Sequence, residues 1–147
     1  PVSCAVLLDR DGTLIEDKHY LSEPSGVVLL PASARRWRVW FGRGTVFLGI
    51  HQSGVGRGDF TEQAVAACQK RLEELLGPYG VVFTDAVWCP HAPEASCLCR
   101  KPLPGMFEEL RARHGLLPET TFMIGDKLDD LGFAANAGLS AGRSIER

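Results

Sequence analysis

Four short stretches carry residue types that can do chemistry together. The first, "DRDGT" (9–13), sets Asp9 and Asp11 two positions apart, followed by a glycine and a threonine. A carboxylate can attack phosphorus and form an acyl phosphate. A second carboxylate nearby can carry the proton of the leaving group and then of water. Two or three acids also suit Mg2+, which prefers oxygen ligands and substrate phosphate. An isolated pair of this kind is usually a solvated turn. The apolar run "CAVLL" before it and the Gly-Thr after it favour a site instead.

The second stretch, "CPHAPEASCLCRKP" (89–102), holds Cys89, His91, Cys97 and Cys99 in the spacing C-x-H-x5-C-x-C. Three thiolates and an imidazole suit tetrahedral Zn2+, and four protein ligands leave no open coordination position, so the expected metal is structural. Its task would be to fix the loop that delivers Arg100 and Lys101. The rival reading of the same cysteines is a disulfide. The chain has five cysteines, an odd number, with Cys4 and Cys68 standing alone. That count does not suit a secreted disulfide framework, and clustered cysteines in a reducing cytosol are more often metal ligands.

The third stretch, "HQSGVGRGD" (51–59), is rich in glycine, so its backbone can approach a ligand closely. Arg57 is a candidate for a second phosphate or a sugar hydroxyl, and Arg100 for a distal phosphate; the rival reading of either is a solvent-facing arginine. The fourth, "GDKLDD" (125–130), offers Asp126 and Lys127, with Asp129 or Asp130 able either to act in the site or simply to start a helix.

These stretches need elements to position them. Residues 4–8 read as a buried strand that ends on acids. "TVFLGI" (45–50), "VVFTDAVWC" (81–89) and "TFMI" (121–124) read as further strands, and "SAGRSI" (140–145) as a last edge strand. Helices are expected over 31–43, 61–76, 105–115 and 130–138. Thr61 can cap the second of these, and Val65, Cys68, Leu72, Leu75 and Leu76 form its apolar stripe. Strands alternating with helices predict a three-layer, Rossmann-like α/β fold with a parallel sheet and helices on both faces. In such sheets sites form at the carboxyl ends of strands, and four of these ends carry reactive groups.

The 147 residues suit one domain, with no linker or repeat. Hydrophobic content is 45%, charged content 23% and net charge −2, with both signs scattered. No basic run argues for nucleic acid or an anionic membrane. No apolar run reaches the roughly 18 residues of a membrane span. The first residues read as a strand rather than a leader, so the expected compartment is the cytoplasm and the expected state a monomer.

At this point the sequence resembles a known superfamily. "LLDRDGTL" is similar to the first motif of the haloacid dehalogenase phosphatases, "CRKP" to the third and "MIGDKLDD" to the fourth. "HQSGVGRG" and "CPHAPEASCLCRKP" narrow the likeness to the D-glycero-D-manno-heptose-1,7-bisphosphate phosphatases, with the histidinol-phosphate phosphatases as close relatives. The resemblance implies Asp9 as nucleophile, Asp11 as general acid/base and Lys101 as the partner of the bound phosphoryl group. It implies Mg2+ held by the Asp9 carboxylate, the Asp11 carbonyl and Asp126, with Lys127 orienting the acids. The reaction it implies is loss of the 7-phosphate from a heptose 1,7-bisphosphate, or alternatively hydrolysis of histidinol phosphate. The Ser53 of "HQSG" resembles the heptose branch. His19 and Tyr20 lie where relatives contact substrate.

One departure bears on activity. Relatives read "VTNQSG" where this chain reads "GIHQSG", so Ile50 and His51 replace a hydroxyl and an asparagine. Losing one preorganised donor to a transferring phosphoryl group costs on the order of 10²–10³ in rate. His51, or the backbone amides of Gln52 and Ser53, could compensate. A slow or non-catalytic binding protein on the same fold is therefore the rival from another class. The links between motifs leave no room for an inserted cap, which predicts an open cleft.

Overall fold

The computed structural model describes residues 4–17, 21, 23–30, 35, 45–52, 61–91, 94, 96–125 and 127–143, with the backbone alone for 45–52 and 141–143. The expected helix over 31–43 lies outside the described residues apart from Arg35, which is helical.

Strand β1, Cys4–Asp9, is apolar on both faces because it lies in the middle of the sheet. Around it lie β2 (Thr45–Gln52), β3 (Phe83–Cys89), β4 (Thr121–Gly125) and β5 (Ser140–Arg143), in the order β3-β2-β1-β4-β5. All four pairings are parallel. The chain builds outward from β1 to one side and then returns to build the other. Its topological switch point therefore falls beside β1, where such sheets bind ligands.

The two faces of β1 feed two cores. Val6 and Leu8 pack with Cys68, Leu72 and Leu76 of α1 (Glu62–Leu76). Ala5 and Leu7 pack with Met106, Phe107 and Leu110 of α2 (Gly105–His114) and Phe133 and Ala134 of α3 (Leu128–Ala137). Helices thus cover both faces, as the alternation of elements predicts. Thr61 caps α1 through its Oγ1, which accepts from the Ala64 N–H at 3.2 Å. In the apolar stripe of that helix, Leu75 is only partly buried.

A β-bulge interrupts the pairing of the edge strand β3 with β2. Phe47 pairs with Phe83 but Leu48 with Asp85, so Thr84 is extra. The extra residue reverses the alternation. Phe83 packs in the α1 core, whereas Val87 and Cys89 pack in the α2 core. Asp85 accepts from His114 Nε2 at 2.8 Å, from Arg113 Nη1 at 3.2 Å and from the Ala86 N–H at 2.8 Å. Burial alone would raise the Asp85 carboxyl, but these bonds outweigh it and hold it low. His114, at the end of α2, is thus a half-buried tie to β3.

Three boundaries differ from expectation by two residues. The β2 ladder runs on through His51↔Trp88 and Gln52↔Cys89, so both residues extend the strand and do not open the loop. Strand β3 starts at Phe83, although Val81 is buried beside it. Helix α3 starts at Leu128, where Asp130 reaches back to accept the Lys127 N–H at 3.2 Å, the reach-back half of a capping box.

Candidate active site

Asp9 ends β1 at the switch point and is 5% exposed. It follows the alternation of Ala5 and Leu7, so its carboxylate faces the side of the sheet covered by α2 and α3. There it meets Lys101, which stands between the cysteine loop and α2. Lys101 Nζ donates to Asp9 Oδ1 at 2.9 Å and to Asp130 Oδ1 at 2.6 Å. All three side chains are almost fully withdrawn from water.

Close packing makes this approach possible. A Cβ at Gly125 would collide with the Asp130 carboxylate, so the end of β4 must be bare for the acid to reach Lys101. On the other side, Pro102 lies against α3. A Cβ at Gly132 would come within 2.9 Å of the Pro102 ring, and Asn136 Nδ2 donates to the Pro102 carbonyl at 2.8 Å. The Lys101–Pro102 peptide is cis. The N–H of Gly105 donates to the Leu98 carbonyl at 2.8 Å, and that of Leu103 to the Arg100 carbonyl at 2.9 Å, which closes the segment around the lysine.

Burial dominates the electrostatics. It pushes the Asp9 carboxyl up to about 7; the Lys101 ammonium opposes this, and the Asp130 charge adds to it. Burial opposes the charge on Lys101, yet Asp9 and Asp130 together raise its pKa above the ordinary lysine value. Asp11 follows in a tight turn, with both its oxygens on Arg10 at 3.3 and 3.2 Å. The cluster thus sets Asp9, Asp11 and Asp130 against Lys101 and Arg10, leaving surplus negative charge. A divalent cation bound at oxygen would relieve that surplus and the cost of ionising Asp9.

The cysteine loop gathers its ligand atoms at one point. Those of Cys89, His91, Cys97 and Cys99 all lie within 4.8 Å of one another. Cys89 and Cys97 Sγ are 3.8 Å apart, and His91 Nδ1 is 3.6 Å from Cys89 Sγ and 3.1 Å from Cys99 Sγ. A tetrahedron with metal–sulfur bonds of about 2.3 Å has edges of roughly 3.8 Å; the Cys89–Cys97 pair has that spacing, whereas Cys99 Sγ is 2.9 Å from Cys89 Sγ and would have to move apart to bind a metal. No disulfide joins Cys89, Cys97 and Cys99. Burial, then the neighbouring Cys89 thiol, pushes the Cys99 thiol up to about 12, and burial also raises Cys89. Crowded thiols that resist ionisation on their own are what a bound cation stabilises as thiolates. Burial would raise the Cys97 thiol as well, but the Arg100 N–H, the Cys89 thiol and the Cys99 N–H lower it. The four side chains could hold a metal ion.

Among the other residues singled out by sequence, Arg100 is half-buried beside Lys101. Lys127 is exposed; its N–H bonds Asp130, and its Nζ lies 3.5 Å from Asp17. His51 and Gln52 are placed as backbone on β2. Ser53, Arg57, Asp126, His19 and Tyr20 lie outside the described residues. Asp129 is exposed and Asp130 buried, which separates two acids that sequence left equivalent. The signal lay in the spacing: on α3, residue 130 faces inward with Phe133 and Ala134.

Comparison with known proteins shows the family. A HAD-hydrolase-like family model matches residues 98–141. The D-glycero-beta-D-manno-heptose-1,7-bisphosphate 7-phosphatase of Bordetella bronchiseptica is 35% identical over 90% of this chain and 75% of its own length. The protein of that name from Haemophilus ducreyi is 34% identical over 92% of this chain and 79% of its own. The histidine biosynthesis bifunctional protein HisB of Legionella pneumophila is 32% identical over 92% of this chain, which spans only 39% of that relative. The crystal structure of the B. bronchiseptica D,D-heptose 1,7-bisphosphate phosphatase, complexed with magnesium and phosphate, superposes with a TM-score of 0.87. Identity there is 31%, covering 94% of this chain and 78% of that one. A parallel sheet that ends on a buried Asp–Lys pair is, with these matches, that of a haloacid dehalogenase-type phosphatase. Within that superfamily the chain belongs to the D-glycero-D-manno-heptose-1,7-bisphosphate phosphatase and histidinol-phosphate phosphatase family.

Proposed function

We propose that this phosphatase removes the 7-phosphate of D-glycero-D-manno-heptose 1,7-bisphosphate through a phosphoryl group carried on Asp9. The observation that carries the reading is the buried Asp9–Lys101 contact at the strand end, 2.9 Å long. It gives a nucleophile and a cation one shared position for a phosphoryl group.

Asp9 Oδ attacks phosphorus, and the bond to the sugar oxygen breaks with its electron pair going to that oxygen. Asp11 gives the oxygen a proton. Water then attacks the acyl phosphate, Asp11 takes the water proton, and the Asp9 carboxylate is restored. Lys101 neutralises the charge on the phosphoryl oxygens throughout, and positioning with charge neutralisation is most of what phosphoryl transfer needs. Mg2+ would be held by Asp9, the Asp11 carbonyl and Asp126, and it would supply further neutralisation of phosphate charge. Zn2+ on Cys89, His91, Cys97 and Cys99 would hold the loop that carries Arg100 and Lys101. Arg100, Arg57, Lys127, His51, Gln52 and Ser53 line the substrate side of this reading, with Arg100 facing the distal phosphate.

The chain works here as a single-domain cytoplasmic monomer on a small phosphorylated sugar, without nucleic acid or membrane. Among the described residues no helix is long and apolar enough to cross a membrane. A second substrate, histidinol phosphate, is supported by the likeness to HisB. The test is phosphate release with Mg2+ from both anomers of the heptose bisphosphate and from histidinol phosphate, beside an Asp9→Asn control. Fast release from the heptose alone, lost in the control, supports the reading. Release from histidinol phosphate alone moves the protein to the sister branch. No release from either by folded, zinc-loaded protein favours a binding protein slowed or silenced at Ile50.

A further inference from the structure

Asp11 is the proton carrier of the proposed reaction, and among the described residues a single side chain holds it. The main chain around it is held by hydrogen bonds. Gly12 adopts φ 80, its N–H donates to the Ile15 carbonyl at 2.8 Å, and Thr13, Leu14 and Ile15 all donate to the Arg10 carbonyl at 3.2, 2.9 and 3.2 Å. That turn fixes the backbone and leaves the carboxylate to side-chain partners. Arg10 supplies them as a fork: Nε reaches Asp11 Oδ1 at 3.3 Å and Nη2 reaches Oδ2 at 3.2 Å.

An exposed pair of neighbours would mean little. This one is not exposed, because Arg10 is only 6% accessible. Its remaining amino group, Nη1, is buried with no partner among the described residues. The guanidinium has therefore given up its hydration for one acid and left a donor unsatisfied. Such an arrangement costs stability, and a solvated residue at the same position would avoid the cost.

We propose that Arg10 is a positioning residue that aims Asp11 as a proton acceptor for hydrolysis of the Asp9 phosphoenzyme, a role that rests on the mechanism above. A carboxylate held through both oxygens by a planar fork is fixed in orientation. When water adds to phosphorus, the bond from phosphorus to Asp9 breaks, its electrons return to Asp9, and the water proton passes to Asp11. Formation of the phosphoenzyme from an aryl phosphate makes no such demand. The phenolate leaves with the electrons of the broken bond and needs no proton.

The two half-reactions therefore separate the role. With para-nitrophenyl phosphate, first-turnover nitrophenolate release and steady-state phosphate release are measured in wild type, R10K, R10Q, D11N and R10Q/D11N. In R10Q the first turnover keeps its rate while steady-state turnover slows about 10–10²-fold, so a burst appears or grows. R10K keeps the charge without the fork and falls between. R10Q adds nothing in the D11N background, because Arg10 acts through Asp11. A first turnover slowed as much as the steady state, unchanged steady-state turnover in R10Q, or additive losses in the double variant would overturn the proposal. Should R10Q not fold, R10K against wild type is judged by the same split. Turnover that survives in Asp9→Asn would remove the mechanism and the role of Arg10 together, whereas an Asp9-dependent enzyme indifferent to Arg10 removes this role alone.

Discussion

Lys101 Nζ lies 2.9 Å from Asp9 Oδ1, with both side chains almost wholly buried. The lysine comes from the end of the cysteine loop and the acid from the end of the central strand, so the contact joins the two halves of the site. Lys101 also bonds Asp130 at 2.6 Å, and one ammonium thereby separates two buried carboxylates. Replacing Lys101 with Met leaves them facing one another. Removing one partner of a buried pair costs roughly 3–5 kcal/mol. Proton uptake by one acid moderates that loss at low pH. We expect Lys101→Met to lower the urea midpoint and to cut phosphate release by 10²-fold or more. Lys127→Met, at an exposed position, should stay within about 0.5 kcal/mol of wild type in stability. Equal midpoints for the two variants would show that the Lys101 contacts contribute nothing.

The raised carboxyl of Asp9 gives a pH dependence of known sign. Burial lifts it from 3.8 to about 7 in the folded protein. Between those values the native state holds a proton that the unfolded chain has released. Stability therefore falls as pH rises through that window and levels off above it. Lys101 stays charged throughout, since its own pKa is raised. The check is the urea midpoint of protein freed of divalent cations, measured from pH 4 to pH 8 (about the two ends of the window), for wild type and Asp9→Asn. The asparagine variant should lack the wild-type slope. Activity should run the opposite way and rise toward neutrality, because only the ionised carboxylate attacks phosphorus.

The cysteine loop, with the zinc proposed for it, makes a separate claim about distance. Its four ligand atoms lie within 4.8 Å of one another, and Lys101 follows Cys99 by two positions. If zinc holds the loop, its release would free the segment that carries the lysine. A misplacement of about 1 Å at a reacting centre can cost 10²-fold in rate. Metal analysis of the purified protein should give close to one zinc per chain. Cys97→Ser or a strong chelator should lower both zinc content and turnover, and added zinc should restore the chelated wild type. Full activity in zinc-free protein would show that the loop holds Lys101 without it.

Much of this site can be read from the sequence because it is built on strands. Asp9 and the cysteine loop sit at the ends of apolar runs whose period is plain, and parallel strands bring such ends together. Asp130 is less legible. Its inward direction depends on where α3 starts, and the start depends on its own bond to the Lys127 N–H. His114 and Asp85 show the same limit. Their contact requires the bulge at Thr84, and an extra residue in a ladder leaves little trace in an alternating pattern. The Arg10 fork was hidden for a different reason: a charged residue beside two acids reads as solvated until its burial is known.

Ile50 poses the sharpest test, because the register sets it beside Asp9, the proposed nucleophile. In the β1–β2 ladder Asp9 pairs with Ile50, and on its other side Ile50 pairs with Val87. The position that carries a hydroxyl in the resembling motif is thus the nearest strand neighbour of Asp9. A hydroxyl there can donate to the transferring phosphoryl group, whereas an isoleucine offers only its backbone. Threonine is also at home in a strand and smaller than isoleucine, so Ile50→Thr demands little of the fold. If the site lacks that donor, the substitution should raise kcat by roughly 10–10³-fold with little change in KM, since the bond strengthens only as charge develops. The measurement is steady-state phosphate release from the preferred substrate by wild type, Ile50→Thr and Ile50→Val. Valine controls for the change in side-chain volume. A gain confined to threonine shows that the hydroxyl was missing. Equal rates in all three would mean that His51 or the strand-end amides already supply the donor, and that the wild-type chain is a fully competent phosphatase.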